Sequence, residues 1–126
     1  MICFAMSTDT EIQVHQERFL VVSGKKIKSI PVRKVAYFVA DGRYIKMVTK
    51  SNERYLLDYS LESVGKRINP QQFFRVNRQY LIGFDSIADM TVWSRGRIKI
   101  ELDPAFGTEV ITSIQNTAAF KKWLDR

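Results

Sequence analysis

Apolar and polar residues alternate along much of this chain, which is typical of strands that bury one face. The clearest case is 97–102, where Ile98, Ile100 and Leu102 alternate with charged residues and predict a half-buried strand. Apolar runs of similar length predict further short strands at 19–22, 26–30, 35–40, 44–49 and 55–58. Residues 1–18 show no clear period and are interpreted as a lead-in or linker, so the folded domain is expected at 19–126.

Residues that favour turns separate these strands. They lie at Ser23-Gly24, Asp41-Gly42, Ser51-Asn52 and Ser94-Arg95-Gly96. Asp-Gly between two apolar runs is a strong hairpin signal, because both turn positions need a positive φ. Pro31 and Pro104 predict sheet edges or strand starts, because proline cannot donate to an interior ladder.

Two helices are expected among the strands. Ser60 can cap the first, which should end near Asn69-Pro70 and whose apolar positions recur at helical spacing at Leu61, Val64 and Ile68. The second is predicted at about 114–124, with Ser113 as its cap and with Phe120, Trp123 and Leu124 on one face. The resulting fold class is mostly β, of the α+β type. The predicted core consists of Leu20, Val22, Ile27, Val35, Phe38, Ile45, Leu56, Leu61, Phe74, Leu81, Ile87, Ile98, Ile100 and Trp123.

The charge of the chain favours a polyanionic partner. Twenty lysines and arginines oppose thirteen acidic residues, which gives a net charge of +7 and a pI near 9.7. The cations are segregated: residues 18–52 carry nine of them against the single acid Asp41, and residues 66–100 carry seven against Asp85 and Asp89. This segregation favours nucleic acid over the simpler explanation that the charge only serves solubility.

Catalysis and metal binding find little support in the sequence. His15 is the only histidine and Cys3 the only cysteine, so metal-ligand spacing and an intrachain disulfide are both unavailable. Neither a glycine-rich phosphate loop nor a carboxylate pair for acid–base chemistry stands out. The apolar start is too short for a signal-peptide core, and no window reaches the length of a membrane span. We therefore expect a cytoplasmic protein that is not an enzyme and needs no cofactor.

The segment 73–82 carries the most suggestive chemistry. Two phenylalanines and the run Tyr80-Leu81-Ile82 flank a polar group that contains Arg75, Asn77, Arg78 and Gln79. Planar arginine heads match guanine edges, and asparagine or glutamine heads match adenine edges. The simpler interpretation is a polar loop between two buried strands.

Taken in order, three segments of the chain resemble the LytTR family of DNA-binding domains, usually the output module of bacterial response regulators in two-component systems. They are 35–44 (VAYFVADGRY), 73–82 (FFRVNRQYLI) and the closing stretch from Ser113 to Leu124. The resemblance covers roughly 19–124. It implies an elongated fold of about ten short strands in small antiparallel sheets with two helices, and a transcription regulator that binds duplex DNA through loops in successive major grooves.

By position, the resemblance implies three DNA-reading loops: loop 1 at 42–44, loop 2 at 77–79 and loop 3 at 113–116. The implied base contacts are Arg43, Asn77, Arg78, Gln79, Gln115 and Asn116. The implied contacts to the DNA backbone are Tyr44, Lys46, Arg75, Arg95, Arg97 and Ser113. Loop 3 departs from the family pattern, because Ile114 stands where a basic residue commonly follows the capping serine. An altered sequence preference is therefore expected.

The expected partners are duplex DNA, a second copy on the DNA, and a receiver or sensor partner outside this chain. Two alternatives remain open at this point. The chain could bind single strands by stacking bases on Phe38, Tyr44, Tyr55 and Tyr80, although such strand aromatics more often belong to a core. It could also be a protein-interaction or regulatory module without a direct role on DNA.

Overall fold

The computed structural model of the chain describes residues 15–126, so Cys3 and most of the predicted lead-in lie outside the described residues. This part contains ten strands: β1 (Arg18–Ser23), β2 (Lys26–Pro31), β3 (Val35–Asp41), β4 (Tyr44–Thr49), β5 (Arg54–Leu57), β6 (Phe73–Arg75), β7 (Tyr80–Gly83), β8 (Ile87–Val92), β9 (Ile98–Leu102) and β10 (Val110–Ile111). Its two α-helices are α1 (Leu61–Arg67) and α2 (Ile114–Leu124). The predicted mostly-β fold of small antiparallel sheets with two helices is confirmed.

The strands form three antiparallel sheets. A five-stranded sheet with the order β5-β4-β3-β7-β6 lies at the centre, beside a two-stranded sheet of β1 and β2 and a three-stranded sheet with the order β10-β9-β8. The central strand β3 is buried on both faces, because its first five residues form the continuous apolar run VAYFV. Such a run is typical of a strand that is covered on both sides.

One face of the central sheet is covered by the β1–β2 hairpin and α1. Phe19 and Val21 of the hairpin pack in the same cluster as Phe38 of β3 and Leu61 and Val64 of α1. The hydroxyl of Ser60 accepts a hydrogen bond from the Ser63 amide at 3.0 Å, so the predicted cap and helix are confirmed.

The other face is covered by the three-stranded sheet and α2. Ile100 and Leu102 of β9 pack with Tyr37 of β3 and Phe120 of α2. The indole of Trp123 donates to the Pro70 carbonyl at 2.8 Å, which fastens the end of α2 to the segment after α1. The expected apolar face of α2 is thereby confirmed.

The predicted turns all lie between paired strands. Gly42 adopts a φ of +66° in the β3–β4 hairpin, and Asn52 and Arg95 adopt φ values of 67° and 61° in the next turns. Pro31 is the last residue of β2, which lies at the edge of its sheet. An edge position suits proline, because it has no amide hydrogen to donate to a neighbouring strand. The prediction for Pro104 was wrong, because this residue lies in the loop after β9, where its carbonyl accepts the Tyr37 hydroxyl at 2.6 Å.

Part of the predicted core was also wrong. Leu20, Val22 and Ile27 are 67–69% exposed, and Leu56 is 54% exposed. Their neighbours Phe19, Val21, Tyr55 and Leu57 are the buried residues of these strands. Because successive side chains of a strand point to opposite faces, an apolar run of this kind fits either phase, and only the packing of the hairpin on the central sheet selects one.

Candidate nucleic-acid interface

Loop 1 and loop 2 are neighbours in the structure. The Ala40 amide donates to the Gln79 carbonyl at 2.8 Å, which joins the end of β3 to the end of loop 2. Arg43, Tyr44 and Arg78 line one open concavity of about 590 Å³. Asp58 and Glu62 line the same concavity, so its charge is mixed and not purely basic.

Loop 2 and loop 3 are also neighbours. The Asn77 side-chain amide donates to the Ile111 carbonyl at 2.8 Å, and the Ser113 amide donates to the Val76 carbonyl at 2.9 Å. A second open concavity, of about 510 Å³, is lined by Asn77, Arg78, Gln79 and Ser113. Arg78 borders both concavities, so loop 2 is the middle element of a surface to which all three loops contribute.

Several predicted base contacts are free at this surface. Arg43, Arg78, Gln79 and Gln115 are exposed, and Asn116 is half-buried. Within residues 15–126, the side chains of Arg43 and Arg78 form neither ion pairs nor hydrogen bonds. These guanidinium groups can therefore reach a ligand without breaking a contact of the protein.

Asn77 does not share this freedom. Its side-chain oxygen accepts from the Gln79 amide at 2.8 Å and from the Tyr80 amide at 2.9 Å, while its side-chain nitrogen donates to Ile111. The amide head is thus used inside the protein, and a paired contact to a base would require these bonds to break. The direct base contact that the sequence predicts for Asn77 stays a prediction.

Arg75 is similarly engaged. Its Nε donates to the Asn77 carbonyl at 2.9 Å, and one terminal nitrogen donates to the Arg78 carbonyl at 2.8 Å. Burial lowers the pKa of Arg75 from its usual value, and the nearby Glu62 carboxylate opposes this shift; the guanidinium remains charged at neutral pH. The predicted phosphate contact of Arg75 therefore competes with two hydrogen bonds to the backbone of loop 2.

Lys46 lies on β4 beneath loop 1. Its Nζ pairs with the Asp41 carboxylate at 2.9 Å and lies 5.7 Å from the centre of the Phe106 ring. The side chain keeps 31% of its surface exposed. Part of the charge predicted to contact the DNA backbone is therefore offset by Asp41.

The β8–β9 turn brings further cations near loop 3. The turn Ser94–Gly96 lies against α2 and contains the exposed Arg95. Arg97 donates to the Ser94 carbonyl at 3.0 Å and to the Ser94 hydroxyl at 2.8 Å, so it braces the turn. Arg95 is the freer of the two predicted backbone contacts.

Loop 3 is held by a chain of hydrogen bonds that the sequence interpretation missed. The Ile98 amide donates to the Thr112 hydroxyl at 3.0 Å, the Thr112 and Thr117 hydroxyls are 2.7 Å apart, and the Thr117 hydroxyl donates to the Ser113 carbonyl at 2.8 Å. In the sequence, the only sign of this arrangement is a pair of threonines, Thr112 just before the predicted helix and Thr117 inside it.

Ser113 occupies the cap position of α2, but its hydroxyl makes no capping bond. That oxygen is buried without a partner among the described residues.

The aromatic platform of the single-strand alternative is not present. Phe38 and Tyr80 are fully buried, and Tyr55 is 8% exposed. Tyr44, at 55%, is the only one of the four on the surface. Successive bases could not stack on these rings without unfolding the core.

The described part of the chain offers neither a cluster of metal-ligating side chains nor a membrane-spanning helix. No group of three or more histidine, cysteine or acidic side chains in residues 15–126 has the geometry to hold a metal ion. Over the same residues, neither helix has the length and apolarity needed to cross a bilayer.

Comparison with known proteins places these features in a family. Residues 25–125 match the model of the LytTr DNA-binding domain. The chain is 28% identical over 95 residues to the heme-containing CO-sensing transcriptional regulator RcoM 2 of Paraburkholderia xenovorans, covering 75% of this chain and 35% of that protein. It is 25% identical over 80 residues to the sensory transduction protein LytT of Oceanobacillus iheyensis, covering 64% and 32%. The chain thus spans about a third of the length of these curated relatives.

A solved structure agrees with the fold. The LytTr DNA-binding domain of a putative methyl-accepting/DNA response regulator from Bacillus cereus superposes with a TM-score of 0.76 at 16% identity, covering 88% of this chain and 99% of that one. The match of the family model over most of the chain is the decisive finding. This protein belongs to the LytTr family of DNA-binding domains.

Proposed function

We propose that this domain binds duplex DNA sequence-specifically as the output part of a transcription regulator, with loops 1, 2 and 3 in successive major grooves. The observation that supports the proposal is the contiguity of the three loops, which are joined by the Ala40–Gln79, Asn77–Ile111 and Ser113–Val76 hydrogen bonds. Loops held in this way can meet a rigid duplex together, which favours binding without a large ordering cost.

Base readout is assigned to the side chains that are free at this surface. Arg78 is the main candidate, because it lies in the middle loop and a guanidinium can bond to both acceptors of guanine. Arg43, Gln79, Gln115 and Asn116 are the further candidates. Ile114 is 58% exposed and offers loop 3 an apolar contact, which suits a thymine methyl group but not guanine.

Contacts to the DNA backbone are assigned to Tyr44, Lys46, Arg95 and Arg97. Ser113 is left out of this set, because its hydroxyl is buried and its amide donates to the Val76 carbonyl. The N-terminus of α2 supports them, because the unpaired amides and dipole of a helix start attract phosphate. Three of these residues are cations that can neutralise a phosphate, which gives a log–log salt slope of roughly −2.7, so binding weakens roughly 40-fold from about 50 to about 200 mM salt.

Selection of bound duplexes from a random pool tests this function directly. The expected result is an enriched motif, and the selected duplex should displace bound probe far better than either of its single strands. Displacement by single strands as well as by duplex would support the single-strand alternative. Failure to retard any duplex at low salt would support the protein-interaction alternative.

The relatives suggest the setting of this activity. Both RcoM 2 and LytT carry names that describe sensing or signal transduction. We propose by analogy that a sensor or receiver partner controls this domain and that two copies assemble on the target, since one domain offers few base contacts. A chromosomal target agrees with the cytoplasmic location expected from the sequence.

A further inference from the structure

We infer that Arg75 and Asn77 are positioning residues: together they clamp loop 2 in one conformation, so that Arg78 is presented to the DNA, and they fasten loop 2 to loop 3. This inference rests on the proposed duplex-binding function. It replaces the direct DNA contacts that the sequence predicts for both residues.

The first half of the clamp is the Arg75 guanidinium. Its Nε and one terminal nitrogen reach the carbonyls of Asn77 and Arg78, two consecutive residues of the loop. The planar fork of arginine supplies donors at a fixed separation, whereas lysine has a single compact ammonium on a flexible stem. One guanidinium can therefore fix two successive peptide groups, and a lysine cannot reproduce this geometry.

The second half is the Asn77 side chain. Its oxygen accepts from the amides of Gln79 and Tyr80, two and three residues further along the chain. Together the two side chains satisfy two carbonyls of loop 2, the amide of Gln79 and the first amide of β7. The side chains of Arg78 and Gln79 remain exposed and point outside this closed set of bonds. A loop fixed before binding loses less entropy when it meets its ligand.

Asn77 also carries the link to loop 3. Its nitrogen donates to the carbonyl of Ile111, two residues before Ser113, and the backbone bond from Ser113 to Val76 runs alongside. These bonds fix the start of α2 relative to Arg78. The clamp thereby sets the distance between the base pairs that loops 2 and 3 can read at the same time.

Arg75→Lys tests the guanidinium fork, because it preserves the charge and removes the paired geometry. We expect affinity for the selected duplex to fall roughly 10- to 100-fold, since two hydrogen bonds from a charged donor are lost. Affinity for random duplex and the salt slope should stay nearly unchanged. The matched control is Arg54→Lys: Arg54 donates to the Ala105 carbonyl at 3.2 Å and is not part of the three loops, so its replacement should change neither affinity.

Two outcomes of this comparison would overturn the inference. Unchanged affinity of Arg75→Lys for the selected duplex would mean that the fork does not position Arg78. An equal loss on selected and random duplexes, with a salt slope flatter by one unit, would mean that Arg75 contacts a phosphate itself.

Hydrogen exchange of the free protein tests the clamp without any DNA. In isotope-labelled protein, the Gln79 and Tyr80 amides should exchange faster in Arg75→Lys than in wild type, while amides of β4 should not change. Equal protection in both proteins would overturn the clamp. If wild type bound no duplex, the proposed function would fail, and this experiment would still decide whether the clamp exists.

Asn77→Asp separates the two roles of Asn77. The carboxylate keeps an acceptor for the Gln79 and Tyr80 amides but loses the donor to Ile111. We expect those two amides to stay protected, while selection from a random pool yields motifs with more variable spacing between two conserved blocks. Motifs with the wild-type spacing would contradict the link between the loops. Loss of protection at both amides would contradict the role of the side-chain oxygen.

Discussion

Loop 2 and loop 3 lie side by side, but they are held in different ways. In loop 2 the polar side chains of Arg75 and Asn77 bind the backbone of the loop itself. In loop 3 the buried hydroxyls of Thr112 and Thr117 hold the start of α2, while the hydroxyl of Ser113 has no partner within residues 15–126. The chain therefore fixes loop 2 through its own side chains and loop 3 through the core.

The two loops also present different side chains to a ligand. Loop 2 exposes Arg78 and Gln79, which can form directional bonds to base edges, whereas loop 3 exposes the apolar Ile114 beside Gln115 and carries no cation at 113–116. We therefore expect loop 2 to supply most of the discrimination between sequences and loop 3 to supply mainly affinity.

Arg78→Ala should have the largest effect. Removing a paired contact to guanine costs about 1–3 kcal/mol of discrimination, so the preference for selected over random duplex should fall roughly 5- to 140-fold. Titrations of both duplexes at one salt concentration measure this directly. Equal weakening on the two duplexes would reassign Arg78 to the DNA backbone.

Thr112→Val should loosen loop 3 from the core. Valine has the same shape but leaves the Ile98 amide without its acceptor and removes one of the two partners of the Thr117 hydroxyl. Such a loss costs about 1–3 kcal/mol. Urea unfolding should show this decrease in the free energy of unfolding. Thr91→Val on the exposed strand β8 is the control and should be close to neutral. Equal stability of the two variants would show that the threonine chain does not hold α2.

Ile114→Arg should sharpen the contrast by giving loop 3 a cation. Affinity for duplex should rise several-fold, and the salt slope should become steeper by about one unit if the new side chain meets a phosphate. Leu20→Arg adds the same charge to the exposed face of the β1–β2 hairpin, on the other side of the central sheet from α2. An equal gain in both variants would mean that net charge alone is responsible.

Substitutions at the first positions of the two helices should have the smallest effects. Ser60→Ala removes a capping bond and should lower the free energy of unfolding by about 1 kcal/mol. Ser113→Ala removes a hydroxyl that caps nothing, so its effect should stay within about 0.5 kcal/mol. Urea titrations of the two variants measure both decreases in the free energy of unfolding. A larger decrease for Ser113→Ala than for Ser60→Ala would reveal a capping bond of Ser113 in solution.

Local features of this fold were predictable from the sequence because their causes are local. Gly42 in its turn and Ser60 at its helix act through neighbouring residues, and both were identified correctly. The phase of β1 was not, because Phe19-Leu20-Val21-Val22 is apolar throughout and alternation cannot choose a face. Only the packing of the β1–β2 hairpin on the central sheet shows that Phe19 belongs to the core.

The sequence indicates which residues belong to the candidate site but not what surrounds each of them in the folded protein. Arg75, Asn77 and Arg78 carry similar planar polar heads, and all three were expected to touch DNA. The partner that distinguishes Asn77 is the Ile111 carbonyl, 34 residues away in sequence. Contacts at such separation leave no local signal, so only the folded structure separates the residues that hold the loop from the residues that face outward.

We propose that loops 1, 2 and 3 meet one duplex together. An NMR titration of isotope-labelled protein with a selected duplex tests this proposal most directly. We expect the amides of residues 42–44, 77–79 and 113–116 to shift in parallel with one affinity, while those of the β1–β2 turn stay unchanged. Shifts confined to a single loop, or concentrated on the β1–β2 hairpin, would contradict it.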